Sequence, residues 1–332
     1  IMADLKTKYM GLELRSPIIA GSCGLTSDVE KMVEMEKAGV GAVVLKSIFV
    51  EQINEETSGV FKAGYGMGDA YPEAEDYIKA YIRSNTIQKY VELVRNAKSR
   101  LTIPVIASVN CFSGGEWVSF ARQLEEAGAD ALELNVFILP VNEFKESAEV
   151  ENVYFEIVKS IKSQIKIPVS VKISHYFTNL SAFVDKIKAY GANATTLFNR
   201  FYEPDININT LEMGAASVFS SAAELRTTLR WTGILAGKDK RLEISASTGV
   251  HSGEAAVKLL LAGATTVQVC SVLYEKGIHV IEDINNFIGK WMDSKAFKTI
   301  EDYRGMLSYS SIENPDLYER AQFMKYFSNK QY

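Results

Sequence analysis

Residues 126–135 read Glu126-Ala127-Gly128-Ala129-Asp130-Ala131-Leu132-Glu133-Leu134-Asn135. The opening closes a helix, because a glycine just past the last helical residue supplies a left-handed backbone position that side chains resist. A short apolar run ending on a polar residue follows, as in a buried parallel strand. The pattern recurs at Glu36-Lys37-Ala38-Gly39-Val40, Ala189-Tyr190-Gly191-Ala192-Asn193 and Leu261-Ala262-Gly263-Ala264-Thr265. Repeated helix–glycine–strand junctions imply a parallel sheet covered by helices on both faces.

Working outward, apolar runs predict strands at Ile18–Gly21, Ala42–Leu45, Val105–Val109 and Ala131–Leu134. Four more fall at Val169–Lys172, Ala194–Leu197, Leu242–Ser245 and Thr266–Val269. Helices are predicted between them, among others over Asp28–Ala38, Ala121–Ala127 and Ala255–Ala262, each followed by glycine. Eight strand–helix units favour an α/β fold closed into a TIM (β/α)8 barrel over an open doubly wound sheet. The barrel is expected over residues 2–313, with a C-terminal tail over 314–332 that packs on the barrel or on a partner subunit. Residues 51–81, rich in Gly, Tyr and acidic side chains, are too long for a plain βα loop and predict a lid or extra element after the second strand.

The 332 residues are 47% hydrophobic, enough for one large core, and their net charge is −5 with Lys and Arg scattered. That balance argues against nucleic acid or an anionic membrane surface as a partner. Cys23, Cys111 and Cys270 are far apart, with no CxxC pair and no histidine at ligand spacing, so reduced thiols are expected and no metal site. No run approaches the ~18 apolar residues of a membrane span, and the N-terminus lacks the order of a signal peptide. A cytoplasmic location is expected.

In such a barrel, chemistry gathers just after each strand. There the chain offers Ser22 and Cys23, Lys46 and Ser47, Asn110 and Cys111, and Asn135. It continues with Lys172 and His175, Asn199 and Arg200, Ser247-Thr248-Gly249, and Cys270-Ser271. A lysine at the inner end of an apolar strand is costly without an anionic partner, unless it snorkels to the rim. Two aimed at one mouth favour an anionic or electron-rich ligand. Small residues after the last two strands expose backbone N–H groups, as a phosphate site requires. A lyase or isomerase with Lys46 or Lys172 as Schiff-base amine is compatible with this much.

The carriers of a family resemblance are Ser16-Pro17-Ile18-Ile19-Ala20-Gly21-Ser22, Leu45-Lys46-Ser47, Ala129 to Asn135, Val171-Lys172, Ser247-Thr248-Gly249-Val250 and Gly263 to Val269. Through them, from about Leu14 to about Leu307, the chain resembles the dihydroorotate dehydrogenases. It resembles equally the related FMN-containing domain of dihydropyrimidine dehydrogenases. The resemblance implies FMN across the barrel mouth. Gly21, Ser22, Lys46, Ser47, Asn110, Asn135 and Lys172 would lie at its ring or ribityl chain. Ser221, Ser247, Thr248, Gly249, Cys270 and Ser271 would lie at its phosphate. Lys172 would stabilise charge that develops on the flavin, and Lys46, Asn135 and Asn199 would also bind a small cyclic substrate. A homodimer is implied too, and the membrane-bound, quinone-using branch is not expected.

The departures concern the substrate. The family's catalytic Cys or Ser, which takes a proton from dihydroorotate, aligns without gaps to Ile138 in Asn135-Val136-Phe137-Ile138-Leu139-Pro140. Isoleucine cannot act as a base. His175 is the foremost replacement because histidine titrates near neutrality, the other reading being a surface histidine. Cys111, Asn142, Glu143 and Ser147 are further candidates by position. Gly64 to Asp69 replaces an asparagine-bearing loop, and Arg200 replaces a small hydroxyl residue. The resulting expectation is an FMN-dependent oxidoreductase of pyrimidine biosynthesis, converting dihydroorotate to orotate with altered or lost turnover. The alternative is an FMN-binding paralogue that acts on another reducible compound or serves as a binding protein.

Overall fold

Along Ala131–Asn135 all five residues are buried, yet they alternate in character: Ala131, Glu133 and Asn135 on one face, Leu132 and Leu134 on the other. A strand with two buried faces belongs inside a closed, covered sheet. The structure, a computed structural model, describes residues 3–48, 72–110, 114–200 and 203–319. Its barrel strands are β3 (Ile18–Ala20), β4 (Ala42–Val44), β5 (Val105–Asn110) and β6 (Ala131–Asn135), followed by β7 (Val169–Ile173), β8 (Ala194–Leu197), β11 (Glu243–Ala246) and β12 (Thr266–Val269). They close in the order β11-β12-β3-β4-β5-β6-β7-β8, every pair parallel. This is the predicted (β/α)8 barrel.

Strand parity sorts the core into two parts. Leu132, Leu134, Val169, Val171, Val267 and Val269 belong to the large cluster under the surrounding helices. Ile19, Ala42, Ile106, Ala131 and Ala194 belong to a separate apolar cluster inside the barrel, near the strands' N-terminal ends. That interior is sealed by a hairpin of β1 (Thr7–Tyr9) and β2 (Leu12–Leu14), which sends Tyr9, Met10 and Leu14 into the same cluster. The Tyr9 hydroxyl donates to Ser170 Oγ at 3.2 Å, and the Met10 N–H donates to Glu243. A second hairpin, β9 (Pro204–Asn207) with β10 (Glu212–Ala215), follows β8 and is exposed throughout. Neither hairpin is predicted from the sequence.

Helix boundaries differ from expectation for local reasons. The first barrel helix is Val29–Lys37, with Asp28 accepting from the Glu30 N–H as its N-cap, and Gly39 follows at φ +95°. The helix expected from Ala255 begins at Gly253, because Ser252 is its N-cap and accepts from the Ala255 N–H at 3.2 Å. The helix expected from Ala121 begins at Gly114. β11 starts one residue late because the Leu242 N–H still bonds to Asp239 O in the preceding turn. Residues 72–81 of the expected lid are instead the first turns of a helix, Pro72–Arg100, which proline can open because its missing N–H has no partner there. The remainder of the lid, 51–71, lies outside the described residues. In the tail, Tyr318 sits against Gly233 so closely that a Cβ there would meet its ring at 2.2 Å. Residues 320–332 lie outside the described residues. Among the described residues, no helix is long and apolar enough to cross a membrane.

The junction glycines make a direct test. Gly263 adopts φ +118°, its N–H closes on the Leu259 and Leu260 carbonyls, and a Cβ would stand 2.4 Å from Ala236 Cβ. Gly263→Ala should therefore cost about 1–3 kcal/mol through backbone strain and overlap. Urea unfolding should show a lower midpoint with an unchanged slope. An unchanged midpoint would contradict this account.

Candidate functional site

Cross-strand register places Asn110, Asn135 and Lys172 side by side at the C-terminal ends of β5, β6 and β7. Lys172 is only 7% exposed and Glu133 1%. The two are paired, with Nζ 3.8 Å from Glu133 Oε1. That length is an ion pair beyond hydrogen-bond reach, so the ammonium donors stay available to whatever enters the mouth. The other Glu133 oxygen accepts from Thr196 Oγ1 at 2.9 Å and from Gln268 Nε2 at 2.8 Å.

A cavity of about 460 Å³ opens above this layer, within the size range of ligand pockets. Ser22, Lys172, Asn199, Ser247, Thr248, Gly249, Cys270 and Ser271, all among the residues singled out in the sequence, line it. The loop after β11 is rigidly shaped. Thr248 has φ +83° and its hydroxyl donates to Phe198 O at 3.1 Å. Gly249 has φ +79°, and a Cβ there would meet Leu225 N at 2.2 Å. Phe198, Phe219, Gln268 and Tyr274 also line the cavity and are missed by sequence reasoning. Of these, Gln268 carries a legible signal, since it alternates inward with Thr266 along β12.

Other predicted residues fall elsewhere. Ser220, not Ser221, faces the cavity: its N–H donates to Ser271 Oγ at 2.9 Å and its hydroxyl contacts His251 Nε2 at 3.0 Å. Ser221 is exposed and gives its N–H to Glu224 as it opens the turn Ala222–Glu224. Lys46 and Ser47 line a different pocket, of about 680 Å³, with Asp28 and Glu92. The two lysines thus line different pockets at the same end of the barrel, Lys46 two residues beyond β4 and Lys172 inside β7. Ser47 still reaches Ser22, whose Oγ accepts its N–H at 2.8 Å. Asn199 Nδ2 donates to Asn135 Oδ1 at 2.8 Å, so Asn135 is buried behind a residue of the cavity wall and does not line it itself. Asn110 is buried beside it. Gly21 is needed for space: a Cβ there would stand 2.6 Å from Cys270 Sγ.

Among the described residues, none of the candidate bases lines the cavity. His175 lines an adjoining pocket of about 210 Å³, which shares Phe198, Asn199, Arg200 and Thr248 with the cavity. Desolvation lowers its pKa, partly opposed by Glu203, so it is a weaker base than an ordinary histidine. Ile138 is half-buried against the hydrophobic core, and its N–H donates to the Tyr154 hydroxyl at 3.3 Å. Asn142, Glu143 and Ser147 are exposed. Cys111 and residues 64–69 lie outside the described residues. Arg200 lines the cavity but is engaged, with Nε 3.0 Å from Glu224 Oε2 and Nη1 3.0 Å from Val218 O. Among the described residues, no group of three His, Cys, Asp or Glu side chains could hold a metal.

Comparison with known proteins adds a family. The family described as dihydroorotate dehydrogenase matches residues 4–292. A protein of Thermoplasma acidophilum named dihydroorotate dehydrogenase B (NAD(+)), catalytic subunit, is 30% identical over 311 residues, covering 92% of this chain and 99% of its own. Proteins of the same name from Thermoplasma volcanium and Pyrococcus furiosus are 27% and 26% identical, covering 92% and 91% of this chain and 99% and 98% of their own.

The buried pair is testable on its own. Glu133→Gln leaves Lys172 without a counter-charge and should cost roughly 3–5 kcal/mol, with Glu133→Gln/Lys172→Met recovering much of it. Chemical denaturation of the three proteins measures both. A single-variant loss of only ~1 kcal/mol, the worth of a neutral hydrogen bond, would sink the ion-pair reading.

Proposed function

The chain belongs to the dihydroorotate dehydrogenase family, and from that premise we propose that it is an FMN-dependent oxidoreductase with weak turnover of dihydroorotate. The observation that carries this is Lys172, a buried cation held by Glu133 at the wall of the cavity.

The residues present fit FMN. Gln268 Oε1 and Asn110 Oδ1 are buried acceptors with no hydrogen-bond partner among the described residues, and Gln268 lines the cavity. Such orphans cost stability unless a ligand donor meets them. The hydroxyls of Ser22, Ser220 and Ser271, with the backbone at Ser247–Gly249, suit a phosphate and a polyol chain. When bound, FMN supplies a two-electron, hydride-accepting centre. Lys172 would hold a positive charge against the negative charge that reduction adds, and Phe198 and Phe219 would give the group an apolar wall.

Oxidation of dihydroorotate also requires a proton to leave carbon. Ile138 cannot accept it, and His175 stands in the neighbouring pocket. Loss of a general base typically slows such a step by about 10²–10⁴-fold. The flavin half is therefore kept while the substrate half is altered, which favours a different cyclic, reducible compound as the preferred substrate.

Purified protein should be yellow, with flavin absorbance that Lys172→Ala weakens or abolishes; colourless protein unable to take up FMN would overturn the cofactor. Under anaerobic conditions dihydroorotate should bleach the bound flavin slowly, and Ile138→Cys or Ile138→Ser should accelerate bleaching by roughly 10²-fold or more. Wild-type bleaching as fast as in either variant would overturn the weak-turnover reading.

A further inference from the structure

Two cysteines meet on the cavity wall. Cys270 directly follows β12, and β3 lies against that strand in parallel register, with Val269 opposite Ala20 and the Gly21 N–H donating to Val269 O at 2.9 Å. Cys23 follows β3 by three residues. The missing Cβ at Gly21 leaves the space that Cys270 Sγ occupies, and that thiol points toward Ser22 O at 3.8 Å. Both cysteines are free, partly exposed and line the same cavity, and the carbonyl that the Cys270 thiol approaches is the one bonded directly to the Cys23 nitrogen.

We propose that Cys23 and Cys270 form a redox-active dithiol on the cavity wall, which a low-molecular-weight disulfide converts to an intramolecular disulfide. This inference goes beyond the flavin reading and does not depend on it.

The surroundings assign the two sulfurs different roles. The Cys270 thiol, the backbone N–H groups of Leu25 and Thr26 and the Tyr274 hydroxyl all stabilise a negative Cys23 sulfur, drawing its pKa down to about 6 against the effect of burial. The same contact and deeper burial push Cys270 well up, with Lys172 pulling down and Glu133 pushing up from the barrel interior. A thiolate facing an open cavity beside a resolving cysteine is the arrangement of oxidation-sensitive sites.

The chemistry balances. Cys23 thiolate attacks one sulfur of the small disulfide, forming a mixed disulfide and expelling one thiolate. Cys270 loses its proton to solvent and attacks Cys23 Sγ, expelling the second thiolate. The dithiol is oxidised by two electrons, and the small disulfide is reduced to two thiols. Closing the bridge ties the loop carrying Ser22 to the end of β12 and removes a negative charge from the cavity wall.

The full chain, reduced and desalted, is incubated with oxidised glutathione at neutral pH, blocked with N-ethylmaleimide and mapped by mass spectrometry. Two of its three thiols should disappear, a cross-linked peptide should join Cys23 to Cys270, and dithiothreitol should reverse both changes. Cys111→Ser should retain the cross-link. Iodoacetamide should alkylate Cys23 half-maximally near pH 6 in the wild type, moving toward the ordinary thiol value of ~8.5 in Cys270→Ala. A bridge through Cys111, a stable glutathione adduct on Cys23 or three unreacted thiols would each overturn the proposal. These readouts follow thiols and not flavin, so a failure here is separate from a failure of the cofactor assignment.

Discussion

A carboxylate with 1% exposure organises the upper half of this barrel. Glu133 accepts hydrogen bonds from β8 and β12 and faces an ammonium on β7, so one side chain ties four strands to a common register. Ser170 and Thr196, 3.0 Å apart, and Thr266 and Ser245, 2.9 Å apart, extend the polar layer around the interior. Burying a charge is expensive, and an ion pair of this kind gives little net stability over an apolar filling. Its return lies in position. The pair fixes a cation at the mouth with its donors uncommitted, and the cavity walls assemble around that point.

Much of this was legible in the sequence, for a definite reason. Most barrel strands are short, apolar and preceded by a helix stop, so the β6 and β12 segments announce themselves locally. The hairpins did not. Thr7–Tyr9 and Leu12–Leu14 have three residues each, too few for a period, and Pro204–Asn207 with Glu212–Ala215 buries no face at all. Site residues were legible where they lie within a strand or its first turn, as Lys172 and Ser22 do. Lys46 and Ser221 show the limit, since one or two residues of loop decide whether a side chain enters the cavity or leaves it. Glu133 and Gln268 were readable in principle from parity, but the apolar residues between them mask the alternation.

The loops above the barrel follow another logic. Around Ile138 the loop after β6 carries Leu139, Val141 and Phe144, all exposed. Arg200 spends its guanidinium on Glu224 and a backbone carbonyl. Specificity in such a site depends on the groups that a ligand's polar atoms must satisfy, and here a committed guanidinium and an apolar loop stand above a buried cation whose donors are free.

The N-terminal hairpin acts at a distance from any of this chemistry. Tyr9, Met10 and Leu14 stopper the barrel at the end opposite the cavity, and they keep water from reaching Glu133 from below. Water admitted there would raise the local dielectric and screen the field that Lys172 projects upward. The first strands of the chain are thus electrical insulation: they set how strongly a charge at the far mouth is felt, without touching anything that binds there.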